Sequence, residues 1–325
     1  MEKVAFHNTT VMQRIGMFLI NRGSLINYHR MLNNLFEEEL LQNDQKIRVI
    51  MFSPLFTIYI LAYGYFAIII LLILSYFAPA YIFIIYNLCH FRLTTNYTLP
   101  ISRGYGHFWT VPDNFLYHFH LFFETILAIF NGLTSVSVEN VFGFYVYQFS
   151  STMRAMTFKL MNPPHTENFS DLLRTCLAKH QKLLQCCNTL EHIFGPIIFW
   201  HIGTNAVMLC ASLYEMLSLP NLNFNNVSEF LTYALVKLLQ TYIYTWYGTV
   251  LTSASEDFRK GVYFGEWFKS GLNRQMRTNV IMMLMQKPMI INAFYFPIDI
   301  TIFTSFVNAA MSYFFLLQSV GNKGE

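Results

Sequence analysis

The residues of this chain best placed to do chemistry are charges set in apolar surroundings: Glu124, Glu139, Lys237 and Asp299. His118 and His120 precede Glu124 and suggest a metal pair. On a helix two such side chains diverge, and no third ligand stands nearby, so the spacing argues against a metal. At a rise of 1.5 Å per residue, Glu139 lies roughly 22 Å beyond Glu124. Either both carboxylates touch water at the two faces of a membrane, or they serve a site within it. Lys237 lies about two helical turns inside an apolar stretch. Its ammonium either snorkels outward or meets a ligand or carboxylate in an outer vestibule. Thr301, Ser305, Asn308 and Ser312 recur at steps of four, three and four, with Thr304 beside them and Ser319 continuing the line. Such a stripe shares one helical face and either lines water or packs against another helix through small side chains. Asp299, at its start, either draws cations to a mouth or caps the helix after Pro297.

No phosphate loop, dinucleotide fingerprint, zinc-binding His-Glu-X-X-His or nucleophile elbow is present, and the titratable residues do not converge into an acid–base pair. The chain is expected to be no enzyme, with no catalytic residues, no metal and no cofactor.

The elements that must position these residues are membrane helices. Hydrophobic residues make up 54% of the 325-residue chain and charged ones 12%, about half the usual share for a soluble domain. Mean hydropathy is +0.37. Lysines and arginines cluster before the first apolar run (Lys3 to Arg48), between the second and third (Arg154 to Lys182) and between the fourth and fifth (Arg259 to Lys287). The other connections hold only Arg92 and Arg103, then none. Basic residues flanking spans stay in the cytoplasm, which predicts a cytosolic amino end and an extracellular carboxyl end. No basic patch stands apart from that topology, so nucleic acid is not expected as a partner.

The fold class is therefore an all-α integral membrane protein with five transmembrane helices. Residues 1–50 read as a cytosolic amphipathic segment, in which 11–20 form a short apolar run interrupted by Arg14. The membrane domain covers 51–320, with cytosolic helical segments at 151–192 and 253–290. The spans fall at 51–77, within 116–149, and at 193–217, 230–251 and 293–317, because polar backbone in lipid must bond internally. The long uncharged stretch from Val49 to Phe91 counts as one crossing, with an interfacial stub after Pro79. Asn162-Pro163-Pro164 ends the second helix. Sequons at Asn96 and Asn226 fall on predicted outer loops as glycan sites. Cys176, Cys186 and Cys187 fall in a reducing compartment, so no disulfide framework is expected.

The carboxyl half carries a resemblance. Tyr244-Thr-Trp246-Tyr-Gly248-Thr-Val-Leu251, then Ser255, Trp267, Arg277 and Lys287-Pro288, resembles the late region of insect odorant receptors. The ending Phe303-Thr304 through Ser312-Tyr313 to Leu317-Gln318 is similar to that family's last span. His180, Leu190-Glu191 and Cys210 fit its fifth span, and Gln148-Phe149 the end of its fourth. The family's orientation agrees with the charge pattern and is the inverse of G-protein-coupled receptors. A gustatory receptor of the same superfamily is the alternative, although Ser312-Tyr313 and Gln318-Ser319 depart from its ending. A G-protein-coupled receptor or a transporter-like protein is the other alternative. Odorant receptors have seven spans; this chain shows the third to the seventh, with 11–20 as a remnant of the second.

The resemblance implies an odorant receptor of the plasma membrane of olfactory sensory neurons. It would be the ligand-binding subunit of an odorant-gated nonselective cation channel, tetrameric with a co-receptor. Its ligands would be small, hydrophobic and volatile. The pocket would draw on Tyr59, Tyr63, Phe66, Phe123, Leu127, Phe130, Tyr233 and Lys237. Thr301, Thr304, Ser305, Asn308, Ser312, Leu316 and Gln318 would line or gate the pore.

Overall fold

The computed structural model describes residues 2–41, 44–90, 105–106, 109–110, 115–163, 168–217, 224–265 and 274–321. Asn96 lies outside them, as do residues 219–223 of the predicted outer loop 219–228. The chain is a helical bundle, as a run of apolar segments requires. Two helices open it, α1 (Glu2–Ile20) and α2 (Arg22–Leu40), followed by the short α3 (Gln45–Phe52) and α4 (Leu55–His90). A two-strand hairpin, β1 (Tyr105–Gly106) and β2 (Trp109–Thr110), precedes three long helices: α5 (Phe115–Met161), α6 (Phe169–Leu217) and α7 (Phe224–Phe264). Then come α8 (Arg274–Met285), a second hairpin of β3 (Asn292–Ala293) and β4 (Phe296–Pro297), and α9 (Ile300–Gly321).

Among the described residues, three helical stretches are long and apolar enough to cross a membrane: Gln45–Tyr86, Tyr117–Met161 and Phe169–Leu213. Residues 230–251 and 293–317, also expected to span, correspond to α7 and α9. A helix of 47 residues such as α5 is about 70 Å long, more than twice a hydrocarbon core. The long helices therefore run out of any bilayer into a second layer of packing. α5 ends at Met161, where the Asn-Pro-Pro stop stands. Pro79 and Pro196 do not end their helices; α4 and α6 pass straight through them. A proline removes one backbone bond but leaves an apolar helix no better alternative in lipid.

The start of the last helix differs from expectation. Residues 293–299 are not helical but form the second hairpin and its exit. Glu191 accepts from the Asn292 side-chain amide at 3.3 Å, and Ile291 O accepts from Ile298 N at 2.8 Å. Phe294, at the turn, takes a φ of 58°, which an L-residue adopts only when its surroundings impose it. Close backbone approaches impose it here. A Cβ on Gly195 would lie 2.7 Å from Asn292 O, and one on Gly248 would lie 1.9 Å from Ile298 O. The helix then starts two turns later than predicted.

The core runs the length of the bundle, and α5 against α7 is its most extensive contact. Phe142, Phe194 and Tyr244 meet at its centre, with ring centroids 5.0 Å and 5.7 Å from Phe142. Below it a charged clasp ties α2 to α5 and α6. Glu39, 1% exposed, pairs with Lys159 and, at 2.7 Å, with Lys179, which also reaches Glu38 at 3.1 Å. Burial alone would push the Lys179 ammonium down; its contacts with Glu39 and Glu38 outweigh that and hold it above the ordinary lysine value.

Next to the clasp, the His180 ring stacks on Phe258 with centroids 5.1 Å apart and planes at 15°. Burial pushes the imidazole down to about 4. An unfolded histidine titrates near 6.5. The unfolded chain thus binds a proton that the folded one refuses between those values. The associated stability is complete above pH 6.5 and is lost as pH falls toward 4, by roughly 3 kcal/mol at most. His180→Phe should flatten that limb of a stability–pH profile. A variant profile parallel to the parent would count against this assignment.

Candidate functional site

Five helices converge on a polar cluster in the middle of an apolar bundle. Arg14 from α1 donates to Ser135 Oγ on α5 at 3.0 Å, lies 3.8 Å from Glu139 Oε1, and meets His201 Nδ1 on α6. Ser135 Oγ donates to Glu139 Oε1 at 3.3 Å, one helical turn along α5. The other ring nitrogen of His201 lies 3.9 Å from Glu139 Oε1 and 3.1 Å from the Asn205 amide, which donates to Thr241 Oγ1 at 3.3 Å. From α7, the Gln240 amide nitrogen donates to Tyr65 OH on α4 at 2.5 Å and to Ser135 Oγ at 3.2 Å. Its carbonyl oxygen accepts from Lys237 Nζ at 3.3 Å. None of these side chains is more than 6% exposed.

Charges so buried survive only in well-bonded networks. Arg14 spends its guanidinium on a hydroxyl, a carboxylate and an imidazole, while Glu139 Oε2 has no hydrogen-bond partner among the described residues. Lys237 is served least, with the single 3.3 Å bond to Gln240 and the Tyr233 ring 5.5 Å away.

Two sequence expectations change. Glu139 is 1% exposed, so it does not touch water at an inner interface. Lys237 is 6% exposed and turned into the bundle, so it does not snorkel. Arg14, Tyr65, Ser135, His201, Asn205 and Gln240 were not foreseen as members. For Ser135, His201 and Asn205 the signal is spacing: Ser135–Glu139, His201–Asn205 and Lys237–Thr241 are each four apart, and each pair marks one polar face on an apolar helix. Arg14, Tyr65 and Gln240 carry no such signal.

The residues proposed for a pocket divide. Tyr59, Tyr63, Phe123 and Phe130 turn outward, between 49% and 58% exposed. The Tyr59 and Tyr63 rings pack on each other at 4.2 Å. Phe130 borders a shallow apolar groove between α1 and α5 of about 420 Å³, with Ile15, Phe18, Leu133 and Val138. Phe66, Leu127 and Tyr233 are half-buried, and Lys237 lies within the cluster. The periodicity of uniformly apolar helices carries no sign of which ring faces in. His118 is exposed, and among the described residues no group of three His, Cys, Asp or Glu converges.

The α9 stripe faces away from its own chain. Thr301, Thr304, Ser305, Asn308, Ser312 and Leu316 are all exposed, whereas Phe306 is buried. The Gln318 side chain lies outside the described residues. α9 rests on α6 and α7, so the stripe does not serve packing within the subunit. Asp299 caps the helix: its Oδ1 accepts from Thr301 N at 2.9 Å, Ile302 N at 3.2 Å and Thr301 Oγ1 at 2.5 Å. Of the two roles expected for it, capping is the one its bonds fulfil. Asn226 stands in the first turn of α7 rather than on a loop.

Residues 4–311 match the family model described as 7tm odorant receptor. The chain is 24% identical over 195 residues to odorant receptor 94a of Drosophila melanogaster, covering 58% of this chain and 50% of that one. It is 20% identical over 142 residues to the odorant receptor coreceptor of Anopheles gambiae, covering 43% of this chain and 30% of that one. The chain thus spans about half the length, or less, of the curated relatives it matches. Its fold matches that of the olfactory receptor OR5 from Machilis hrabei, solved in complex with eugenol. There the TM-score is 0.77 at 14% identity, over 98% of this chain and 80% of the other.

Proposed function

Because the chain belongs to the 7tm odorant receptor family, a family of helical multi-pass membrane proteins and not of enzymes, we propose that it is the ligand-binding subunit of an odorant-gated, nonselective cation channel. It works in the plasma membrane of olfactory sensory neurons, as a tetramer with a co-receptor. The observation that carries this reading is the outward polar face of α9. A helix that turns Thr301, Thr304, Ser305, Asn308 and Ser312 away from its own subunit needs water or another subunit there. A central pore lined by one such helix per subunit meets that need. The relatives include a coreceptor, and the OR5 likeness includes a small aromatic ligand.

The pocket of this reading lies in the outer half of the bundle and draws on Phe66, Leu127, Tyr233 and Lys237 of α4, α5 and α7. Tyr59, Tyr63, Phe123 and Phe130, which turn outward on the subunit, contribute only at its rim or against a neighbour. Five spans cross the bilayer with the amino end cytosolic. α1, whose Arg14 is buried against α5 and α6, takes the place of a second-span remnant. α2, α3 and the helical parts of 151–192 and 253–290 form the cytosolic layer.

Expressed with an insect co-receptor, the chain should pass cation current on odorant application. An Asn308→Cys variant should lose at least half of that current to a cationic thiol reagent applied from outside. Surface expression without current, or current untouched by the reagent, would count against the pore assignment. Orientation has its own test in a native thiol. Cys89, at the far end of α4, is exposed. Burial pushes the Cys186 and Cys187 thiols up to about 12 and leaves them protonated and inert. A membrane-impermeant maleimide should label Cys89 on intact cells; labelling only after permeabilisation would invert the topology.

A further inference from the structure

The buried cluster has one cation more than it can neutralise. Arg14 and Glu139 are within 3.8 Å and balance each other through Ser135. Lys237 adds a second positive charge; among the described residues no carboxylate lies within 4 Å of it, and Glu139, already engaged by Arg14, acts on it only from farther off. An ammonium has three donors and no acceptor. Only one of the three is used among the described residues, in the 3.3 Å bond to Gln240 Oε1. That bond is set from the far side. The Gln240 amide nitrogen is committed to Tyr65 OH at 2.5 Å and Ser135 Oγ at 3.2 Å, so its carbonyl oxygen must point at Lys237. The ammonium is therefore held in place, 6% exposed, with two donors unspent and the face of Tyr233 5.5 Å away.

We propose that Lys237 seats the head group of the ligand and that the chain takes small volatile carboxylic acids, bound as carboxylates. This rests on reading the outer half of the bundle as an odorant pocket. The carboxylate supplies the anion that the cluster lacks and has two oxygens for two free donors. Its alkyl tail would run from the Tyr233 ring along the apolar side chains that the proposed pocket draws on. An amine would be repelled by Arg14 and Lys237. An alcohol or hydrocarbon would leave the buried cation uncompensated, at a cost that membrane interiors make large.

The test is ligand-induced stabilisation of the purified chain in lipid nanodiscs, with sodium hexanoate, methyl hexanoate and hexan-1-ol as probes at equal concentration. Hexanoate should raise the unfolding temperature, whereas its ester and the alcohol should not. Lys237→Met should weaken hexanoate binding by roughly a hundredfold, and Lys237→Arg should restore part of it. Should the methionine variant fail to fold, the ranking of acid over ester in the parent protein decides alone. Equal shifts from all three probes, an equal shift from sodium chloride, or an unaltered hexanoate response in Lys237→Met would each overturn the proposal. The readout needs no current. A chain that binds hexanoate but passes no current with a co-receptor loses the channel reading and keeps this one. A chain that conducts for neutral odorants and ignores acids does the reverse.

Discussion

Replacing Arg14 by methionine is expected to lower the unfolding free energy by about 3–5 kcal/mol, the usual effect of stripping one partner from a buried ion pair. The cost is not the value of the lost bonds. It is the carboxylate of Glu139 left 1% exposed without its guanidinium partner, facing Ser135, an imidazole 3.9 Å away and the more remote ammonium of Lys237. Glu139→Gln on its own removes a charge but keeps the shape, and it leaves Arg14 bonded to Ser135 and His201. The informative variant is the double one. Arg14→Met with Glu139→Gln removes both charges, so most of the loss should be recovered, with a coupling of 2 kcal/mol or more by the usual size of such cycles. Chemical denaturation in detergent reads all four corners. If Arg14→Met shifts stability by less than about 1 kcal/mol, α1 does not dock as described and the cluster is not a network.

That cluster also marks the limit of what the sequence discloses. Glu139 and Lys237 are conspicuous as charges in apolar runs, but a charge does not announce its partner. Arg14 stands 121 residues from Ser135 and 187 from His201. In sequence it reads as an interruption of a short hydrophobic stretch. Helix ends set by local chemistry are legible, as where Asn162-Pro163-Pro164 halts α5. The hairpin at 292–297 is not, because what holds it is remote: Glu191, Gly195 and Gly248 on two other helices. A run of apolar residues there looks like the beginning of a span. Ring orientation fails for a different reason. α4 is apolar all round, so its sequence carries no preferred face, and Tyr59 and Tyr65 look alike although one is 54% exposed and the other 2%.

The polar stripe shows how a sequence pattern and a packing fact combine. Spacing alone leaves it undecided between water and another helix. Exposure on the subunit removes packing within the chain, and on that ground the stripe is assigned to the assembly proposed above. The placement of α9 in turn depends on the hairpin before it. α9 rests on α7 and α6, and its first residue donates from its backbone to Thr249 Oγ1 at 3.1 Å. The Ile298 carbonyl sits directly over Gly248.

Gly248→Ala is accordingly expected to do harm although alanine is the better helix former. At an unobstructed helical position the exchange gains up to about 1 kcal/mol. Gly203 on α6 is such a position, with nothing within 4 Å of an added Cβ. At Gly248 the added carbon would lie 1.9 Å from Ile298 O and 2.9 Å from the Ile298 side chain. The first obstacle is backbone, which no rotamer change can clear. Either α7 and the hairpin separate, opening a gap beside buried Leu251 and Ile298, or Asp299 and the start of α9 shift with it. Both routes cost on the order of 2–4 kcal/mol by analogy with overpacked or cavity-bearing cores. The two alanines should therefore move stability in opposite directions, Gly203→Ala slightly up and Gly248→Ala strongly down, in one thermal unfolding series. The second route also moves the exposed polar stripe, so, if that stripe lines the proposed pore, any Gly248→Ala protein that reaches the surface should show altered odorant-evoked current. A Gly248→Ala protein as stable as the parent would mean that the hairpin does not seat on α7, and the position assigned to α9 would fall with it.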